Sequence, residues 1–488
     1  MRSRIVFTLF FCVFLWPSSS LAQDEAPLSI HQEQHEHYRS LGELTVQEYD
    51  SLNHFNGVTY GNHGARDCTL EKIVFGYEPY WGGSRYLNYQ WDLLSDMAWF
   101  SYEVDPATGD PLTTYNWLTA DPVDSAQANG TRVHLCVTLF SSHATFFANP
   151  AAQQTLIDNL IDLVDQRNGD GINIDFEAVP SSQAQNLMDF LVDLCTQVHN
   201  SLPEAMVSIA MPAVDWNQMY DIELLKDHID LFFIMGYDYY WNGSSQAGPV
   251  DPLYSLTSGY NYNLSRTISY YQSQGMPLEK MILGLPYYAR QWETTGNTVP
   301  SGTIGNGYAL TYFNVMNNSN GYYDPGNRSW EGNSFSQYYV FNSGGWHQCF
   351  APSVRSLSQR YDIVNLRKLA GIGIWALGYD NGYTELWDLI ETKMTDCMSM
   401  PDHDTIYDSG GPSWDYYHDE DYCMTIELDF ALTLGLYFEE FELEDEYDSL
   451  WIYEGTDTSG YLLAGFSGTD LPKPVYATGN AMTLRFRS

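Results

Sequence analysis

Basic residues are scarce. Lys and Arg number 21 against 62 Asp and Glu in 488 residues, a formal charge of −41. A surface of that sign repels nucleic-acid phosphates and anionic lipid, so neither is expected as a partner; a neutral or cationic polymer is. Cysteine is sparse too. Among the 7 cysteines there is no C-x-x-C pair and no Cys/His run with metal-ligand spacing, which argues against zinc, and no metal or other cofactor is expected. Long apolar runs are missing after the first residues, so no membrane span is expected there. The first residues themselves carry Arg2 and Arg4, an apolar run over 5–16 and then Ser20-Leu21-Ala22. This reads as a secretory signal peptide cut after Ala22, and the protein is expected to be extracellular. Cys12 would leave with it. Cysteines 68, 136, 195, 349, 397 and 423 would then face an oxidising compartment, where disulfides form. Aromatic residues, by contrast, are plentiful, and such side chains serve as stacking floors in sugar-binding clefts.

One stretch organises the rest: Asp170-Gly171-Ile172-Asn173-Ile174-Asp175-Phe176-Glu177. With a period of two, Ile172, Ile174 and Phe176 share one strand face, and Asn173, Asp175 and Glu177 share the other. Alone, this pattern also fits a solvated edge strand. The flanks decide between the two. Leu156, Ile157, Leu160, Ile161 and Val164 recur at helical spacing upstream; Leu187, Phe190, Leu191, Leu194 and Val198 do so downstream, after Pro180-Ser181-Ser182. A strand between two amphipathic helices is covered on both faces. Its polar face then points into a protein interior, where two carboxyls are costly unless they have a task. Close carboxyls in such a place do not both ionise freely, so one keeps a proton, as a general acid requires.

The same reading predicts seven more strands, over 71–81, 96–104, 133–140, 206–211, 229–237, 281–287 and 371–377. Helical patterns at 217–226, 264–275, 352–369 and 383–393 lie between them. Eight strands with helical spacers predict an α/β fold, a (β/α)8 TIM barrel over 67–395 with its chemistry at the C-terminal strand ends. Residues 292–350 read as a small, irregular insertion between strands seven and eight, forming a wall beside the site. Residues 23–66 are polar and read as a leader or linker packing under the barrel, with a helix near 42–53. Beyond 396 the pattern changes to short runs at 425–430, 431–438, 449–453, 461–466 and 482–486, which predict an all-β sandwich to residue 488. The last run reaches the end of the chain and leaves room for more protein beyond it.

Residues 170–177 resemble the D-G-x-D-x-D-x-E signature of family 18 glycoside hydrolases, the chitinases and their relatives. Asn173 stands where that family most often has Asp, and is expected to hydrogen-bond Asp175 without exchanging a proton with it. Met235-Gly236-Tyr237-Asp238, Leu285-Pro286-Tyr287-Tyr288, Trp375 and Tyr77 with Glu78 resemble the family's other strand endings. The resemblance covers about 70–395 and implies a retaining hydrolase of β-1,4-linked N-acetylglucosamine polymers, chitin above all. Glu177 would be the acid and base, Asp175 the partner of the substrate's acetamido group, and Tyr237 its orienting hydroxyl. Trp375, Asp238, Met235 and Tyr77 would bind sugar, with Asn173 and Asp170 in support. Peptidoglycan or N-glycan cores are alternative substrates, and a non-catalytic lectin or an adhesion protein is the alternative to an enzyme. Residues 447–450, 452–455, 478–480 and 484–486 resemble a CUB domain. That likeness implies a Cys397–Cys423 disulfide, calcium on acids such as Glu444 and Asp448, and binding to glycan, protein or a cell surface.

Overall fold

The computed structural model of the chain describes residues 28–58, 68–397, 405–428 and 431–488. The expected signal peptide, Cys12 and the last residues of the 425–430 run lie outside the described residues.

All eight expected strands form: β1 (Ile73–Pro79), β2 (Asp96–Val104), β3 (Arg132–Leu139), β4 (Gly171–Phe176), β5 (Met206–Pro212), β6 (Leu231–Met235), β7 (Met281–Pro286) and β8 (Gly371–Trp375). Each pairs in parallel with the next, and β8 pairs with β1 through Ile73↔Gly371, which closes the barrel. The register places Asn173 of β4 beside Cys136 on β3 and Ser208 on β5, and Asp175 beside Thr138. The flanking helices run over Pro150–Arg167 and Ala184–Ser201. The outward face of β4 packs on them: Ile172, Ile174 and Phe176 are buried, and Phe176 stacks on Phe190 with ring centroids 5.7 Å apart. Each such burial contributes about 1.5–3 kcal/mol, so the strand is held in register from outside while its inner face stays free for chemistry. Of the expected helix at 217–226, only Ile222–Leu225 is helical; Asp215 takes the backbone N–H of Met219 in a turn instead.

Three expectations need correction. The insertion is neither irregular nor confined to 292–350. It begins directly after β7 and folds as a five-stranded antiparallel sheet ordered Thr303–Thr311, Tyr288–Thr294, Trp346–Ala351, Ser336–Asn342, Arg328–Glu331. Buried Tyr323, Tyr339, Phe341 and Cys349 give this sheet its own apolar layer, so a stretch rich in turn-forming residues still closes a sheet. The leader does not pack under the barrel. It forms helix α1 (Ile30–Ser40) and helix α2 (Val46–Leu52), and α1 lies across the mouth, at the C-terminal strand ends. Finally, Cys397 pairs with Cys68, not with Cys423, which is a free thiol. The entry to β1 and the exit of the last barrel helix, Glu385–Met394, run side by side. Thr69 bonds Asp396 through backbone and side chain, and this pairing brings Cys68 and Cys397 to a Cα separation of 5.5 Å.

The C-terminal region is all-β, as expected. Asp421–Glu427, Ala481–Arg487, Ser449–Glu454 and Leu462–Phe466 form one antiparallel sheet; Leu434–Leu436 and Val475–Ala477 form a two-stranded partner. Tyr422 of this region lies 4.0 Å under the Arg367 guanidinium of the barrel, and Trp414 donates to the Ser255 carbonyl at 2.8 Å.

Peptide mapping without reduction should recover Cys68 joined to Cys397. Replacing Cys68→Ser should destabilise the protein by about 2–5 kcal/mol in urea melts, because the bond closes a very long loop. Cys423→Ser should change stability by no more than about 0.5 kcal/mol.

Candidate active site

The barrel mouth gathers the expected residues from several strands. Asp175 is the last inward residue of β4, and Glu177 follows just past the strand's end, its N–H bonded to the Leu139 carbonyl at 3.1 Å. Ala178 then takes a left-handed backbone (φ 53°), a conformation rare for a residue with a Cβ, and the chain turns away. Both carboxyls are buried. Burial pushes both up from the ordinary carboxylate range, and the charge of Asp175 raises Glu177 further. The pair therefore keeps a proton at neutral pH. Asp175 Oδ1 and Glu177 Oε1 are buried without a hydrogen-bond partner.

Asn173 does not reach up to Asp175 as expected. Its Oδ1 accepts from the Tyr77 hydroxyl at 2.8 Å and its Nδ2 donates to Ser208 Oγ at 2.9 Å. The register explains this: β5 carries a hydroxyl at the level of Asn173, so the amide is satisfied sideways. Asp175 is left to face the mouth.

Tyr237 and Asp238 follow β6, and Trp375 ends β8. Asp238 also has a left-handed backbone, φ 57°, and its carboxylate is tied to the insertion. Tyr288 donates to Oδ1 at 2.7 Å and Arg290 Nη2 to the same oxygen at 3.1 Å. Met235 is buried at the end of β6. Tyr77 lies 5.4 Å from Trp375 between ring centroids. Glu78 is on the other face of β1; it accepts from Tyr89, and burial raises its carboxyl to about 8. Asp170 is not brought to the site. It stands at the opposite end of β4, where its carboxylate takes the Val133 N–H at 2.7 Å.

What the sequence did not reveal is the leader's role at this site. His31 of α1 is fully buried among the functional groups. Its Nδ1 is 2.8 Å from Asp175 Oδ2 and 3.4 Å from Glu177 Oε1, its Nε2 is 2.7 Å from the Tyr237 hydroxyl, and its ring stacks on Trp375 at 3.6 Å between centroids. One tautomer satisfies both bonds: Nδ1–H donates to Asp175, and the Tyr237 hydroxyl donates to Nε2. Burial lowers the imidazole to about 4, against the pull of the Glu177 and Asp238 charges, so it is neutral at ordinary pH. Gln34 Oε1 accepts from Trp375 Nε1 and from the Tyr379 hydroxyl, at 2.9 and 2.7 Å. A start signal was present in the sequence, since Ser29 caps α1 through the Gln32 N–H and Glu33 sits in the first turn. The helix has almost no apolar stripe, so hydropathy periodicity passes over it.

Ligand-type atoms of His31, Asp175 and Glu177 lie within 4.8 Å of one another, close enough to hold a cation with the leader in place. Glu444 and Asp448, the acids considered for calcium, form no such group among the described residues. Asp448 instead accepts from the Tyr416 hydroxyl and the Glu444 N–H.

The family model for glycosyl hydrolases family 18 matches residues 136–380, and that for the CUB domain matches 400–488. Among curated proteins, "Putative sporulation-specific glycosylase YdhD" of Bacillus subtilis is 30% identical over 236 residues, 47% of this chain and 52% of its own length. A "Probable endochitinase" of Caenorhabditis elegans is 26% identical over 256 residues, 48% of this chain and 41% of its own. The chain thus spans about half or less of these relatives. Among solved structures, the group IV chitinase of Ostrinia furnacalis superposes with a TM-score of 0.59 at 18% identity, covering 66% of this chain and 100% of that one. The family 18 N-acetylglucosaminidase of Paenibacillus barengoltzii superposes with 0.58 at 17% identity, covering 66% and 99%. At such identities the likeness is one of fold.

Tyr77→Phe should leave the buried Asn173 oxygen without its donor. A loss of about 1–3 kcal/mol in chemical denaturation is expected; an unchanged midpoint would show that Asn173 has another partner.

Proposed function

Because the chain belongs to family 18 of the glycosyl hydrolases, with a CUB domain behind its barrel, we propose that it is a secreted retaining glycosidase. It cleaves β-1,4-linked N-acetylglucosamine polymers of the chitin type. The observation that carries this reading is convergence. Asp175, Tyr237 and Trp375 all contact one small planar group in the mouth, a ring with a donor on one edge and an acceptor on the other, and Glu177 stands beside it. An acetamido group offers the same pair, an N–H and a carbonyl.

In this mechanism Glu177, protonated because it is buried beside Asp175, gives its proton to the glycosidic oxygen. The substrate's own acetamido oxygen closes on the anomeric carbon as that bond breaks, the substrate-assisted route by which some retaining enzymes dispense with a protein nucleophile. Asp175 accepts the acetamido N–H and stabilises the positive charge that develops; Tyr237 donates to the acetamido oxygen and aims it. Glu177, now ionised, takes a proton from the water that opens the cyclic intermediate, and configuration is retained. Trp375 floors the reacting sugar, with Met235 at the edge of the subsite. Asp238, fixed by Tyr288 and Arg290, offers its remaining oxygen to a sugar hydroxyl. The disulfide and the N-terminal residues support secretion. The CUB domain serves as a binding surface or tether for glycan, protein or a cell surface.

Peptidoglycan is the second substrate reading, favoured by Asn173 at the position where the family most often has Asp. Incubation with chromogenic chitotriose, purified peptidoglycan and an N-glycoprotein separates the possibilities. Release from chitotriose, reduced at least about 100-fold by Glu177→Gln, is expected. Binding without release from any of the three would leave a lectin. The pH profile is a further check. A raised Glu177 keeps its proton through neutral pH and loses it as pH rises, so kcat/KM should have an alkaline limb centred well above the ordinary Glu value of about 4.3. Protonation of Asp175, which must be ionised to meet the developing charge, sets the acid limb. An alkaline limb centred near about 4.3 would contradict a dry general acid.

A further inference from the structure

We propose that the N-terminal segment, residues 28–58, is a built-in inhibitor that places His31 where the substrate's acetamido sugar must sit. The proposal rests on reading this mouth as an N-acetylglucosamine subsite. The groups assigned to that sugar's acetamido arm and ring face are already engaged by α1. His31 takes Asp175, Tyr237 and the face of Trp375, and the Ile30 N–H takes Asp238 Oδ2 at 2.8 Å. Gln34 takes the indole N–H of Trp375. Two occupants that use the same atoms exclude one another.

The rest of α1 holds this placement. Glu33 meets the buried Arg290 guanidinium of the insertion at 3.0 Å, Tyr38 stacks on Trp81 at 4.7 Å and 9°, and Arg39 pairs with Glu103 of β2. The helix advances about 1.5 Å per residue, so from Ile30 to Arg39 it lies along the cleft and does not merely touch its rim. Beyond it, Asp50 of α2 accepts from the Ser84 N–H and hydroxyl, in the connection that follows β1.

The plug is also built to leave. Among the described residues, segment 28–58 is held by non-covalent contacts alone, whereas Cys68, which follows it in the chain, is fastened to the barrel through Cys397. Displacing the segment therefore leaves the barrel's own closure intact. The chain connection to the barrel keeps a displaced segment close, because a tethered occupant acts at an effective concentration in the mM range.

The test compares the full chain with the triple variant His31→Ala, Gln34→Ala, Tyr38→Ala, all changes lying on the leader, using chromogenic chitotriose. A plug seated 99 times in 100 reduces apparent affinity about 100-fold, so kcat/KM of the variant should rise at least about tenfold, mainly through KM. A synthetic peptide of residues 28–41 should then inhibit the variant competitively, and the same peptide with His31→Ala should not. Equal kcat/KM in both proteins, with no inhibition by the peptide, overturns the proposal. If neither protein hydrolyses, calorimetric binding of chitotriose decides: tighter binding by the variant upholds the inhibitor and removes the glycosidase reading, while equal binding removes the inhibitor. Should the triple variant fail to fold, Arg39→Glu sets like charges against Glu103. It should raise kcat/KM in the same direction, and an unchanged value counts against the proposal.

Discussion

Dehydration of two carboxyls at one strand end is the constraint on which the rest of this structure depends. Asp175 and Glu177 share a dry mouth, and burial there disfavours their charged forms. Water would relieve the cost and also return Glu177 to an ordinary carboxylic acid. The surroundings keep water out. Helices press on the outer face of β4, Tyr77 and Trp375 close the mouth from the side, Asn173 is satisfied by Tyr77 and Ser208 below the acids, and His31 of the leader covers them from above. The barrel closes because strands pair edge to edge, but its use depends on one strand tolerating polar side chains inside.

The same dryness accounts for the choice of occupant in the leader. A charged side chain inserted against Asp175 would be desolvated itself. A neutral imidazole loses far less hydration than an ion would, and it offers one donor and one acceptor to groups that need both. Its aromatic face adds the stacking that a sugar ring would have with Trp375. Inhibitor and substrate are thus recognised by one set of forces. The insertion takes part in both. Its Arg290 is buried between Asp238 and Glu33, so the wall that anchors a sugar-binding carboxylate also anchors the leader.

Beyond the mouth, the chain is tied together near the bottom and side of the barrel. The disulfide joins the start of β1 to the exit of the last barrel helix, so the fold is sealed before the C-terminal domain begins. That domain rests on the barrel through Trp414, Tyr417 and the Arg367–Tyr422 stack. Asn263 and Arg367 are caps of barrel helices, and Ser255 lies in the connection after β6.

The sequence by itself determined the barrel. Strand and helix periods are local properties, and the position of a polar face between two amphipathic helices already implies an interior with a task. Asp175 and Glu177 were legible for that reason, whereas Tyr237, Asp238 and Trp375 were legible only through the resemblance of their strand endings to the family. The tertiary structure decided what depends on pairing between distant segments. Cys397 was free to pair in several ways until the barrel brought Cys68 beside it. Asn173 was expected to bond Asp175, its neighbour on the strand face, and the register of β4 on β5 set Ser208 beside it instead. The direction of the leader could not be read at all. α1 is polar nearly all round, because it packs not on a hydrophobic core but on a polar site, and a helix shaped to fit such a site carries no apolar stripe to announce where it goes.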